Sequence, residues 1–130
     1  LSTTHPTNTP AAPRKARRLA APAMLEKDWQ RVVMEMAQLA GWKRAHFRPA
    51  IRQSGTFSTP VAGDGKGFPD LVLVHRFARE KIFAELKTDK GRTTPEQDDW
   101  LEILGGVVWR PRDIDAVRAR LFRHAERTTV

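Results

Sequence analysis

The sequence predicts an α/β domain, and three observations carry that prediction. Leu25, Trp29, Val32, Val33, Met36, Leu39 and Ala40 recur at helical spacing. Two strand-like runs, residues 70–74 and 81–87, lie one short link apart. A helix start at Thr94-Pro95-Glu96-Gln97 is followed by the strand-like Val107-Val108-Trp109. With 130 residues, 40% of them hydrophobic, the chain suffices for one core and is too short for two ordinary domains. The expected organisation is a tail over residues 1–23 and one domain over residues 24–127.

The tail is rich in Thr, Pro and Ala, and Pro6, Pro10, Pro13 and Pro22 interrupt any helix, so disorder is expected there. Arg14, Lys15, Arg17 and Arg18 stand in it without an acid, so half of the formal charge of +8 is placed before the domain. Two readings of this cluster stay open: an arm that tethers nucleic acid, and a solubilising extension.

Within the domain, the first amphipathic helix spans residues 25–40, with Gly41 placed to end it. Residues 42–47 read as a strand and 57–61 as part of another. Gly63-Asp64-Gly65-Lys66-Gly67 reads as a flexible loop, without the phosphate-loop pattern around its lysine. The apolar run 71–74 and the alternating run 81–87 read as two strands of an antiparallel hairpin closed by residues 76–80. Thr94 as N-cap, Pro95 at the first helical position and Gln97 three residues after the cap open a helix that runs to Leu104, before Gly105-Gly106. A short strand at 107–109 and a last helix over 113–126, with Ile114, Val117, Leu121 and Phe122 inward, complete the order. Trp29, Trp42, Trp100 and Trp109 fall among apolar neighbours and read as core.

Composition narrows the chemistry. Cysteine is absent and His5, His46, His75 and His124 lack metal-ligand spacing, which excludes disulfide frameworks and thiolate zinc sites. No apolar run approaches the roughly 20 residues of a membrane span, and no secretory signal is evident, so a soluble intracellular protein is expected. A pI of about 10.8 makes polyanions the natural partners.

The strand period puts Glu85 and Lys87 on one face and Ala84 and Leu86 on the other. The tight hairpin sets Asp70 opposite that segment, so two carboxylates and an ammonium converge at one strand end. Paired carboxylates repel unless a cation sits between them, and hard oxygen ligands favour Mg²⁺ or Mn²⁺. Such an ion with Lys87 beside it suits hydrolysis of a phosphodiester.

Gly67-Phe68-Pro69-Asp70-Leu71, then Glu85-Leu86-Lys87, then Gln97 and Trp100 resemble the PD-(D/E)XK nuclease superfamily, and within it the VRR-NUC branch, over residues 25–111. The resemblance implies a restriction-endonuclease-like αβββαβ core whose mixed sheet is flanked by helices. It implies Asp70 and Glu85 as metal ligands with the Leu86 backbone carbonyl, and Lys87 as the catalytic lysine. Glu26 matches an acidic residue that such nucleases carry on their first helix. The activity implied is that of a DNA endonuclease, structure-selective for branched DNA or Holliday junctions and working as a homodimer; DNA repair or recombination is the setting expected, and a nucleoid-associated place or the host cell of a virus is the location expected, while the sequence itself is silent on the pathway.

Several residues keep two readings. Glu26 serves the site or complements the helix dipole. Gln97 closes a capping box or points into the site, sharing a stripe with Trp100, Leu101 and Leu104. Pro69-Asp70 is a ligand position or a turn entering a strand. His46 is near the metal or structural. Arg48, Arg52, Lys66, Lys90 and Arg92 hold phosphates as a group or form solvated surface. Two alternatives to a DNA endonuclease stand beside it: a non-catalytic nucleic-acid-binding module on the same fold, and a hydrolase of RNA.

Overall fold

A computed structural model describes residues 23–47, 50–51, 57–58 and 63–125. Helix α1 (Glu26–Leu39) buries Trp29, Val33 and Ala37, one residue per turn along a single stripe. It ends where Gly41 takes a φ of 88°, with its N–H returned to the Gln38 carbonyl. The chain enters β1 (Trp42–His46), passes through a small antiparallel pair, β2 (Ala50–Ile51) and β3 (Phe57–Ser58), and then forms the hairpin β4 (Leu71–His75) and β5 (Lys81–Leu86). Helix α2 (Pro95–Leu104), β6 (Val107–Trp109), a 3₁₀ turn (Pro111–Asp113) and α3 (Ile114–Leu121) follow.

The main sheet has the order β1-β4-β5-β6, antiparallel except for the parallel β5–β6 pair, which α2 connects as a crossover helix. Leaving aside the separate β2–β3 pair, the elements run αβββαβ, a mixed sheet flanked by helices consistent with a restriction-endonuclease-like fold. Among the described residues no helix is long and apolar enough to cross a membrane.

One face of the sheet carries Trp42, Leu71, Leu73, Ile82, Ala84, Leu86 and Trp109, and α1 and α3 close it with Trp29, Val33, Val117 and Leu121. Two indoles bind the elements together here: Trp29 Nε1 donates to the Trp109 carbonyl at 2.9 Å and Trp42 Nε1 to the Leu121 carbonyl at 2.8 Å. The other face meets α2. There Phe68 packs edge-on against Phe47, Phe83 and Trp100 with centroids 5.1–6.3 Å apart.

Two expectations need correction, and a third is seen in part. The last helix stops at Leu121 rather than near residue 126, because the Trp42 indole takes the Leu121 carbonyl and Phe122 leaves helical geometry. Trp100 lies outside the main core; it is half-buried and its indole ties α2 to the 63–67 loop through the Asp64 carbonyl at 3.0 Å. The 57–61 strand is seen at Phe57–Ser58, while residues 59–62, the tail over 1–22 and residue 126 lie outside the described residues.

Candidate active site

The register of the hairpin builds the site. Leu71 pairs with Ala84, so the position before β4 falls opposite Glu85. Asp70 is fixed at both ends: its carbonyl accepts the Phe47 N–H at 2.7 Å and its Oδ2 accepts the Leu86 N–H at 3.1 Å. A carboxylate at the start of one strand is thus held against the backbone of the next.

Glu85 is 2% exposed. Its Oε2 accepts a hydrogen bond from Gln97 Nε2 at 3.1 Å and lies 3.8 Å from Lys87 Nζ. Its Oε1 is buried and accepts no hydrogen bond from an N–H or O–H donor among the described residues, so the Asp70 carboxyl is the group left to share a proton with it. Burial first, and then the charge and hydrogen bonding of Asp70, push the Glu85 carboxyl up to about 8, against a smaller lowering by Lys87. Glu85 therefore holds on to its proton at neutral pH.

Gln97 satisfies both of its readings with the two ends of one amide. Its Oε1 accepts the Thr94 N–H at 2.9 Å and its N–H donates to Thr94 Oγ1 at 3.1 Å, completing the capping box. That fixes the amide so that Nε2 is delivered to Glu85. Gly67 sets the neighbouring loop against this turn: at φ 85° it packs so closely that a Cβ would lie 2.6 Å from the Glu96 backbone.

Glu26, exposed at the start of α1, has its carboxyl raised by burial and by the Asp70 charge and lowered by Lys87, so it lies within the field of the pair. Among the described residues no three His, Cys, Asp or Glu side chains are gathered closely enough to hold a metal ion, so Glu26 does not close a triad with Asp70 and Glu85. His46 ends β1 opposite Leu71, and strand alternation puts it on the sheet face that carries α1 rather than with Glu85. Lys66, Lys90 and Arg92 are exposed, the last two on the loop that follows Lys87. Arg48 and Arg52 lie outside the described residues.

One residue beside the site was not anticipated. The Lys87 N–H extends the parallel ladder by donating to the Trp109 carbonyl at 3.1 Å, which brings Arg110 alongside Lys87. Arg110 Nη1 then donates to the carbonyls of Thr88 and Gly91, both at 2.6 Å. Nothing in the local sequence signals this, since Trp109-Arg110-Pro111 reads only as a strand end.

The donor set is therefore Asp70 and Glu85, the intervening backbone at Leu86, and one ammonium. Oxygen donors, an orphaned buried carboxylate oxygen and the absence of thiolate fit a hard divalent cation. Neither the curated proteins nor the solved structures contain a match to this chain. The family model of the VRR-NUC domain matches residues 21–110, well over half of the sequence. With a fold and carboxylate hairpin of this kind, the chain belongs to the VRR-NUC family of nuclease-type domains.

Proposed function

We propose that this chain is a metal-dependent endonuclease that hydrolyses DNA phosphodiester bonds. The observation that carries the reading is the buried, unpartnered Glu85 Oε1 beside Asp70, a pair of acids whose arrangement calls for a cation. Asp70, Glu85 and the Leu86 carbonyl would hold Mg²⁺ or Mn²⁺, with Glu26 as a further carboxylate in their field. Such an ion, when bound, supplies neutralisation of charge on the phosphoryl oxygens and a more acidic water.

The chain's own residues do the rest. The Leu86 N–H and the Gln97 amide fix the two carboxylates before substrate arrives, which lowers the reorganisation needed in the reaction. Lys87, 15% exposed in its side chain, presents its ammonium to the attacking water or to a phosphoryl oxygen as charge develops there. Lys66, Lys90 and Arg92 meet the flanking phosphates, joined by Arg48 and Arg52. A net charge of +8 favours a polyanionic substrate. Selectivity for branched DNA and action as a homodimer are proposed from the family resemblance.

The test is cleavage of matched linear, flapped and four-way DNA, and of RNA of the same sequence, in Mn²⁺ and in Mg²⁺. Activity should disappear with chelator and in Asp70→Ala, Glu85→Ala and Lys87→Ala with folding retained. Cutting that survives chelation, or variants as active as the wild type, would refute the proposal. Salt-sensitive DNA binding with no cleavage of any substrate would instead select a non-catalytic binding module, the reading that the high positive charge also favours.

A further inference from the structure

Strands β5 and β6 run parallel, and their ladder ends at the Lys87 N–H bonded to the Trp109 carbonyl. The two chains therefore leave the sheet side by side, one at Lys87 and the other at Arg110. From there Arg110 reaches over the segment that follows Lys87. Its Nη1 draws in the Thr88 and Gly91 carbonyls, 2.6 Å each, across a turn closed by the Gly91 N–H to the Thr88 carbonyl at 3.2 Å. Bonds from a guanidinium to carbonyls are charge-assisted and stronger than neutral ones.

The fastened turn comes back against the lysine itself. A methyl group built on Gly91 would stand 3.5 Å from Cδ of Lys87 and 3.1 Å from Thr88 Oγ1, so the fastened turn runs alongside the lysine stem, one methyl group's width away. Two more bonds hold the clamp: Arg112 N–H donates to Asp89 Oδ1 at 2.9 Å, and Arg110 N–H to Asp113 Oδ2 at 3.1 Å. A lysine has four rotatable bonds and loses much rotamer freedom when held in one place. Here the fastened turn lies on one side of the stem and the Glu85 carboxylate 3.8 Å from the ammonium.

We propose that Arg110 is a positioning residue for Lys87: by fastening residues 88–91 it holds the ammonium where the proposed phosphodiester chemistry needs it. The inference rests on the nuclease reading for its consequence in catalysis, and on the hydrogen bonds alone for its consequence in structure.

The test uses the full chain with Arg110→Met, which keeps the stem and removes the donors, and Arg110→Lys, which restores a charge and part of the bonding. In steady-state cleavage of labelled DNA with Mn²⁺, Arg110→Met should lower kcat by about 10- to 100-fold with KM within about threefold, the effect of a small misplacement. Arg110→Lys should recover part of the loss. A second readout needs neither metal nor substrate: NMR of ¹³C-dimethylated lysines, with the Lys87 resonance assigned by its loss in Lys87→Arg. That resonance should stand apart from those of exposed lysines in the wild type and join them in Arg110→Met. A raised KM with kcat intact would mean that Arg110 contacts substrate instead and would overturn the proposal, as would an unmoved Lys87 resonance. If the wild type cuts no DNA, the nuclease reading fails, while the resonance still decides whether Arg110 positions Lys87. Should Arg110→Met not fold, Arg110→Lys carries the same comparison.

Discussion

Glu85→Gln should make the metal-free protein more stable at pH 8 while abolishing its response to divalent cation. The folded state holds the Glu85 carboxyl at about 8, against an ordinary value of 4.5. A raised acid binds more protons folded than unfolded across that interval, so its contribution is complete below about pH 4.5 and is lost as pH rises through about 8. At ~1.36 kcal/mol per pH unit the full interval is worth on the order of 5 kcal/mol, and a few kcal/mol is the expected figure between pH 5 and 8. Glu85 is almost wholly buried, so solvent screening takes little from this. Chemical denaturation in EDTA between pH 5 and 8 should show wild-type stability declining and that of Glu85→Gln staying level by comparison, which subtracts the histidines. Mn²⁺ at pH 8 should restore the wild type alone, since ligands that bind only the folded state raise its stability. Parallel pH profiles for the two proteins would refute the reasoning, because Glu85 would then not be the group that titrates.

Three further outcomes follow from the local geometry. Thr94→Ala removes the acceptor of the Gln97 backbone N–H and should lower stability by about 1 kcal/mol in denaturant titration, while cleavage stays close to wild type because the Thr94 N–H still holds the Gln97 side-chain amide. Gly67→Ala meets both a positive φ and the Glu96 backbone at 2.6 Å, so a loss of at least about 2 kcal/mol is expected, together with slower cleavage as the loop is pushed from α2. Trp29→Phe deletes the indole N–H that binds the Trp109 carbonyl and leaves a cavity in the core, for about 2–4 kcal/mol, measurable as a lower midpoint with an unchanged slope.

The parts of the site that depend on short-range rules were legible in the sequence. A hairpin with a five-residue connection between residues 75 and 81 leaves little freedom of register, so Asp70 had to fall near Glu85. The capping box of α2 is local in the same way, and it carried Gln97 with it. What escaped depends on partners that leave no mark on the sequence. Arg110 binds two backbone carbonyls, which every residue has, and Leu121 ends α3 because an indole 79 positions away takes its carbonyl. Trp100 has the composition of a core residue, yet its indole nitrogen is spent on the Asp64 carbonyl in a surface loop. His46 is a matter of parity: one position along the strand would have put it on the Glu85 side.

The donors around the acid pair orient it without neutralising it, and that difference bears on the charge of the ion it would bind. The Leu86 N–H and the Gln97 amide contribute direction, and the first turn of α2, with Gln97 at its third position, adds only a partial positive charge. Among the described residues Lys87 is the one full positive charge paired with the cluster. Two ionised carboxylates against one ammonium leave a single negative charge, and Glu26, which feels both Asp70 and Lys87, makes it two when ionised. A buried cluster with that excess either retains protons, as Glu85 does at neutral pH, or accepts a divalent cation that cancels it. With Glu26 ionised as well, a monovalent ion would leave a remainder. On the metal-dependent reading proposed above, an ion of charge two would balance the cluster with Glu26 ionised, and the proton that Glu85 holds is one that it would displace, so metal affinity should rise with pH.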